Sequence, residues 1–183
     1  MKRALIGGIG NVLLGDDGVG PYVVRVLESE YSFGDNVEIA DLGTPALDLV
    51  HRIVGLHTVI LVDCVASDDS PGTVRLYRKA DIVRATPVQR LDPHSPALSE
   101  CLMSADMLGA SPENVLLVGI VGRSYEPGCE LSQAMRSAVR KAIRRILQEL
   151  DEYAFAYRKK PVPDEPGIWW SEPRALTPAI AND

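Results

Sequence analysis

Apolar and polar positions alternate along the chain in a pattern typical of a domain built from both strands and helices. Three continuous apolar runs, RALIGGIG (3–10), HTVILVDCV (57–65) and NVLLVGIVG (114–122), are typical of strands buried on both faces of a parallel sheet. NVEIADLG (36–43) predicts a further strand, and PGTVRLYRKAD (71–81) predicts an exposed strand after a Pro-Gly turn.

Helical spacing of apolar residues separates these strands. It predicts a helix over 16–31, a short helix over 44–55 and a helix ending near residue 109 after a loop. The longest helical pattern covers 128–150, and its apolar face comprises Leu131, Met135, Ala138, Val139, Ala142, Ile143, Ile146 and Leu150. The alternation predicts a single α/β domain, a three-layer α/β/α sandwich around a mostly parallel sheet.

The predicted domain covers residues 1–157, and the composition changes beyond it. Residues 158–183 are rich in proline and show no sustained period, so we expect an irregular or disordered C-terminal tail. Trp169 and Trp170 are the residues with which this tail would dock, and we favour docking of one of them on the chain's own domain.

Charge and cysteine content narrow the class of protein. The chain has 183 residues and a formal net charge of −6, which argues against binding to nucleic acid or to an anionic membrane. No apolar stretch approaches the roughly 20 residues of a bilayer span, and the N-terminus does not resemble a signal peptide. The cysteines Cys64, Cys101 and Cys129 form no C-x-x-C pair. We therefore expect a cytoplasmic monomer with reduced thiols.

The segment GGIGNVLLGDDGVGP (7–21) is the first candidate for chemistry. A dinucleotide-binding loop has the pattern G-x-G-x-x-G, but here Leu13 stands where the third glycine belongs. Asp16 and Asp17 would also repel a phosphate at the start of the following helix. The loop therefore indicates a site for a cation, although Asp16 taken alone is also explained as the N-cap of that helix.

Two further residues point to the same place. Asp63 ends the most apolar strand, and ligands of open parallel sheets gather beyond the carboxyl ends of the strands. His94, in the proline-flanked loop LDPHSP, would be able to close over that edge. Two carboxylates and an imidazole suit a borderline divalent ion. Each residue alone has an ordinary explanation, so the prediction depends on the constellation.

The order and spacing of GIGNVLLGDDGVG, ILVDCV and DPHSP resemble those of the hydrogenase maturation endopeptidases. These enzymes trim the C-terminal extension from the large subunit of nickel-iron hydrogenases. The resemblance covers roughly residues 3–150 and implies a hydrolase of the aspartyl-type endopeptidase class. It also implies that the partner is the large-subunit precursor.

Carried over residue by residue, the resemblance implies that the family's acidic residue falls on Asp17, its strand-end aspartate on Asp63 and its loop histidine on His94. Some members have glutamate at the position of Asp17, and Asp16 is left to capping. The three residues are expected to bind nickel that arrives with the substrate. They would place that nickel, or a water on it, against the scissile carbonyl as a Lewis acid.

Three alternatives stay open at this point. A hydrolase that uses Cys64 and His94 is one, but neighbours in a strand point to opposite faces, which predicts that Cys64 is buried in the packed layer. A maturation scaffold that senses nickel without cutting is the second. A nucleotide-binding module is the third, and the broken glycine pattern argues against it.

Overall fold

The computed structural model describes residues 1–45, 47–84, 95–128 and 130–170. Its strands are β1 (Ala4–Ile9), β2 (Tyr31–Phe33), β3 (Val37–Gly43), β4 (Thr58–Val65), β5 (Val74–Arg78), β6 (Asn114–Val121) and β7 (Tyr157–Lys159). Its helices are α1 (Val19–Glu30), α2 (Leu49–Ile53), α3 (Lys79–Arg84), α4 (Ser95–Met107) and α5 (Gln133–Glu152). A short 3₁₀ helix, Gly15–Gly18, directly precedes α1.

Five strands form the central sheet in the order β3-β1-β4-β6-β5. The pairs β3–β1, β1–β4 and β4–β6 are parallel, whereas β5 pairs antiparallel with β6 at the edge. Every residue of β1 and β4 is buried, as expected for strands covered on both faces. Parallel pairing places the carboxyl ends of β1, β4 and β6 along one edge of the sheet.

Helices cover both faces of the sheet and create two apolar cores. One core joins α1 and α5 to alternate residues of the central strands, such as Ile6, Ile60 and Val62. The other joins α2 and α4 to the intervening residues, such as Leu5 and Leu61. The predicted three-layer α/β/α fold is confirmed, and the whole predicted apolar face of α5 is buried.

Two local predictions differ from the structure. The helix after β3 begins only at Leu49, although Thr44 and Pro45 were expected to open it. The predicted exposed strand stops at Arg78, and α3 follows it immediately. Asp81 accepts a hydrogen bond from the backbone N–H of Arg78 (2.8 Å), which satisfies a donor where the strand turns into the helix.

The chain beyond α5 returns to the domain. The predicted boundary after residue 157 falls inside β7, which pairs antiparallel with β2. The backbone N–H groups of Lys160 and Asp164 then donate to the carbonyls of Glu30 (2.7 Å) and Ser29 (2.8 Å) at the end of α1. Trp170 is buried, and Trp169 is half exposed. The segment predicted as an irregular tail is therefore attached to the domain over at least its first seven residues.

Among the helices of the described residues, none combines the length and apolar composition that a bilayer span requires.

Candidate active site

Glycines at the end of β1 bring the acidic loop close to the sheet. Gly10 has φ +138°, and a Cβ there would lie 1.9 Å from the carbonyl oxygen of Asp17. A Cβ on Gly20 would lie 2.1 Å from the carbonyl oxygen of Ile9 and 2.4 Å from that of Val62. Only glycine allows so close an approach. The start of α1 therefore lies directly over the ends of β1 and β4. The carbonyl that it approaches in β4 belongs to Val62, the residue before Asp63.

Asp17 is the acidic residue with an unused oxygen. It is 2% exposed, and its Oδ2 accepts a hydrogen bond from the backbone N–H of Asn11 (2.7 Å). Its Oδ1 is buried and has no hydrogen-bond partner among the described residues. A buried polar atom without a partner costs about 1–3 kcal/mol. A cation at Oδ1 would offset that cost.

In Asp16, by contrast, both carboxylate oxygens accept hydrogen bonds. Its carboxylate accepts hydrogen bonds from the backbone N–H groups of Arg123 (2.9 Å) and Ser124 (3.3 Å) and from both the N–H (2.8 Å) and the hydroxyl (3.1 Å) of Ser132. The expectation that Asp16 caps the helix after it is wrong, because no side chain caps the 3₁₀ helix or α1. Asp16 instead holds the segment 123–132 and the start of α5 against the acidic loop.

Asp63 lies in β4 opposite Gly119 of β6, and its Oδ1 accepts the N–H of Cys64 (2.7 Å). Alternation along the strand puts Asp63 on the face of Leu61, which is the face covered by α2 and α4. Cys64 is fully buried in the opposite core with Ile60 and Val62, as predicted. Burial is the main reason that the pKa of Cys64 rises to about 12. The thiol is therefore protonated near neutral pH, which argues against a cysteine nucleophile.

Tyr125 follows two residues that bind Asp16, and the sequence analysis did not single it out. Its hydroxyl accepts a hydrogen bond from the Cys64 thiol, with a Sγ–Oη distance of 3.5 Å. Burial raises the pKa of Tyr125 most, followed by Cys64 and by the negative charges of Asp17 and Asp63. The available signal was its place in the loop after the buried strand β6, at the same sheet edge.

His94 lies outside the described residues. The described chain resumes at Ser95, the first residue of α4. Across the described ranges, no three His, Cys, Asp or Glu side chains converge to hold a metal ion. The structure thus brings Asp17 and Asp63 to one sheet edge, while the predicted third ligand belongs to the segment immediately before α4.

A cavity of about 640 Å³ lies elsewhere, between α5 and the turn before β5. Its lining includes Thr73, Lys141, Arg144, Arg145 and Gln148, without any carboxylate or imidazole. It therefore offers none of the groups that the acidic edge of the sheet provides, and it is no rival site for metal-assisted hydrolysis.

Comparison with known proteins agrees with the geometry. The family model HycI, described as hydrogenase maturation protease, matches residues 21–149, which is well over half of the chain. The chain belongs to this family. The resemblance noted from the sequence motifs is therefore confirmed, and the matched span includes Asp63 and His94 but begins after Asp17.

Individual members of the hydrogenase maturation protease family match most of the chain. The hydrogenase 2 maturation protease of Escherichia coli (strain K12) is 31% identical over 151 residues, which cover 82% of this chain and 92% of that protein. The hydrogenase expression/formation protein HupD of Bradyrhizobium diazoefficiens is 30% identical over 163 residues, which cover 88% and 85%.

Solved structures of the family share the fold. The hydrogenase maturating endopeptidase HybD from E. coli superimposes with a TM-score of 0.79 at 28% identity, over 86% of this chain and 98% of that one. A hydrogenase 2 maturation peptidase from a Thaumarchaeota archaeon gives a TM-score of 0.61 at 33% identity, over 81% and 98%. The chain is thus a hydrogenase maturation protease by both sequence and fold.

Proposed function

We propose that this chain is an endopeptidase that recognises nickel in the immature large subunit of a nickel-iron hydrogenase and then removes the C-terminal extension of that subunit. The observation that carries the proposal is the buried Oδ1 of Asp17, which has no partner among the described residues although it lies beside the end of β4. In a hydrogenase maturation protease, such an oxygen is a ready ligand for a cation that arrives with the substrate.

The chain's residues fit nickel as part of the substrate. Asp17 and Asp63 would supply carboxylate oxygens, and His94 would supply an imidazole nitrogen, a set that suits a borderline divalent ion. Nickel bound there would polarise the scissile carbonyl as a Lewis acid.

The direction of α4 supports the assignment of His94. The carbonyl of Ala110, just beyond α4, accepts the N–H of Gly55, just before β4. α4 therefore ends beside the amino end of β4, and its 13 residues extend about 20 Å from there toward the carboxyl-end edge. Ser95 begins the helix at that edge, and His94 precedes it by one residue in the sequence.

The described residues also support the compartment and the assembly that we propose, a monomer in the cytoplasm. Cys64 and Cys101 are free thiols, which is the usual state of cysteines in a reducing compartment. Asp17 and Asp63 come from one chain, so this part of the site needs no second copy.

The test is the processing of a large-subunit precursor, prepared with and without nickel and followed by the gel shift that accompanies loss of the extension. We expect the wild type to cut only the nickel-loaded form. Asp17→Asn, Asp63→Asn and His94→Ala are each expected to abolish the cut while circular dichroism stays unchanged. The matched control is Asp69→Asn, which removes a partly exposed carboxylate paired with Arg75 at the surface.

Several outcomes would contradict the proposal. Equal cutting of both precursor forms refutes recognition of nickel, and full activity in any two of the three ligand variants refutes the ligand assignment. Binding of an uncut nickel-loaded precursor by the wild type indicates a scaffold. Loss of cutting in a normally folded Cys64→Ala variant would restore the cysteine-hydrolase hypothesis, whereas we expect that variant to stay active.

A further inference from the structure

We propose that the cavity between α5 and the turn before β5, which we call the basic cavity, is a docking site for an acidic, extended segment of the large-subunit precursor. Lys141, Arg144 and Arg145 line it, and none of its lining residues carries a carboxylate. The inference rests on the proposed peptidase function and deepens it, because it names the chemistry that would bind the substrate away from the scissile bond.

The three cations of the basic cavity have no carboxylate partner within the part of the chain that the structure describes. Other arginines of α5 are paired: Arg136 contacts Glu130 (3.4 Å), and Arg140 contacts Glu30. The side chains of the three cavity cations are exposed along α5. Their charges are therefore available to an anion from outside the chain.

This arrangement of charge is unfavourable for α5 by itself. Lys141 and Arg145 are four residues apart, as are Arg140 and Arg144, so the two members of each pair are neighbours on the helix surface. Like charges at this spacing destabilise a helix. Residues 133–148 contain five cations and no acidic residue, although the chain as a whole has a formal net charge of −6. A bound anion would relieve the repulsion.

The spacing of the cations suits an extended peptide better than a single phosphate group. One helical turn separates Lys141 from Arg145, which is about 6 Å along the axis of α5. Alternate side chains of an extended peptide point to the same side and lie about 7 Å apart. Two acidic side chains at alternate positions of a peptide therefore match these two cations, whereas a lone phosphate binds best where donors converge on one point.

Hydrogen bonds fix both walls of the basic cavity. In the turn, Thr73 donates its N–H (3.1 Å) and its hydroxyl (2.7 Å) to the carbonyl of Ser70. On α5, the guanidinium of Arg145 donates to the side-chain oxygen of Gln148 (3.0 Å), which is a neutral acceptor. The cavity is thus formed before a ligand arrives, which lowers the entropy cost of binding.

The basic cavity lies near the candidate active site but outside it. The N–H of Gly72 in the turn donates to the carbonyl of Val121 (2.8 Å), the last residue of β6. The turn therefore lies at the same sheet edge as Asp63, about 10 Å across the sheet from β4, which is two strands away. Asp63 faces the other side of the sheet from α5. Docking in the cavity would therefore change how tightly the precursor binds, and not how fast the bound precursor is cut.

The first test measures binding without cutting. The probe is the fluorescein-labelled peptide Glu-Thr-Glu-Thr-Glu-Thr, and its uncharged counterpart has glutamine in place of each glutamate. Fluorescence anisotropy at low salt is expected to show that the wild type binds only the acidic peptide. We expect the double variant Lys141→Gln, Arg145→Gln to bind it about fivefold more weakly or worse, because two exposed charge pairs are lost.

The second test uses the nickel-loaded precursor and measures kcat and KM separately. We expect the double variant to raise KM by about fivefold or more at low salt and to leave kcat unchanged, because docking contributes equally to the ground state and the transition state. The difference in KM is expected to shrink as salt is added. The melting temperature should stay the same or rise slightly, since a pair of like charges is removed from α5.

The double variant Lys2→Gln, Arg3→Gln is the matched control. It removes the same charge from two exposed side chains just before β1, at the opposite edge of the sheet. We expect its affinity for the acidic peptide and its KM to equal those of the wild type. The control thus separates the position of the lost charges from the change in net charge.

Each other result has a defined meaning. A wild type that does not bind the acidic peptide, a cavity variant with unchanged affinity and KM, or an equal loss in the control overturns the docking site and leaves the peptidase function intact. Tighter binding of inorganic pyrophosphate than of the peptide assigns the cavity to a phosphate ligand and also overturns it. A wild type that cuts no precursor overturns the proposed function, whereas the peptide measurement still decides whether the cavity binds an acidic segment.

Discussion

Asp16 and Asp17 are adjacent in the sequence but have different physical roles. Four hydrogen bonds satisfy the carboxylate of Asp16, whereas one oxygen of Asp17 has no partner among the described residues. Adjacent residues of a 3₁₀ helix point about 120° apart, so the two side chains meet different surroundings. One of them stabilises the loop, and the other leaves a buried acceptor for a ligand.

This difference predicts opposite effects on stability. Asp16→Asn is expected to lower the free energy of unfolding by about 2–3 kcal/mol, because hydrogen bonds to a charged acceptor are worth more than those to an amide. Asp17→Asn is expected to leave it unchanged or to raise it by about 1 kcal/mol, because a buried amide costs less than a buried carboxylate. Urea unfolding of the two variants measures both effects.

Asp17→Asn is thus the functionally damaging variant and Asp16→Asn the destabilising one. If Asp17→Asn strongly lowered the free energy of unfolding and Asp16→Asn did not, then Asp17 would have the structural role and Asp16 the ligand role.

Sequence patterns could assign Asp17 and Asp63 to one sheet edge, because strand ends and glycine positions are local signals. They could not assign the role of Asp16, whose partners Arg123 and Ser132 lie more than a hundred positions away in the chain. Tyr125 was missed for the same reason, since its contact with Cys64 spans 61 positions. Hydrogen bonds across such separations exist only in the folded chain.

At the scale of elements, long periodic segments were predictable and short ones were not. β4 and β6 have eight residues each and are almost entirely apolar, and α5 has a sustained apolar face over 20 residues. β2 and β7 have only three residues each, and they form because they pair with each other. Their aromatic residues Tyr31, Phe33 and Tyr157 cluster with ring centroids 6.1–6.4 Å apart.

The segment after β7 gives a prediction at this scale. Removal of residues 160–183 is expected to leave a folded domain, because neither apolar core includes a residue beyond Tyr157 among those described, although the buried Trp170 is lost as well. The truncation also removes the hydrogen bonds that the backbone N–H groups of Lys160 and Asp164 donate. The hydrogen bond from Lys160 Nζ to the carbonyl of Glu28 (2.8 Å) is lost with them. At about 0.5–1.5 kcal/mol each, their loss is expected to cost about 2–4 kcal/mol.

Thermal unfolding of the truncated chain measures this loss as a melting temperature lowered by several degrees. Lys160→Met is the comparison, because it removes the side-chain contacts and keeps both backbone bonds. The melting temperature of Lys160→Met should fall by less than that of the truncated chain. A truncated chain that fails to fold would show that the core depends on the removed segment.

At the scale of the whole molecule, the fold itself holds the site together. Asp17 is placed by the close packing of glycines against β1 and β4, and Asp63 is placed by its position in a buried strand. Both placements are explained by packing within the chain. Because both carboxylates are 2% exposed, the side chains over them have to move before a ligand can reach them. Nickel binding is therefore expected to follow docking of the precursor.

The last prediction follows from this independence of fold and metal. Structural zinc contributes about 10–16 kcal/mol to the folding of zinc-finger peptides, and chelators denature small proteins that depend on such a metal. Here we expect EDTA to change the melting temperature by no more than about 1 °C. Nickel chloride alone is expected to raise it only slightly, because stabilisation grows as RT ln(1 + [L]/Kd) and the free site binds weakly. Differential scanning fluorimetry with and without each additive measures both shifts, and Asp17→Asn should show no nickel shift. A large loss of stability in EDTA would instead identify a resident metal ion that stabilises the fold. That ion would then have to be distinguished from nickel recognised in the substrate.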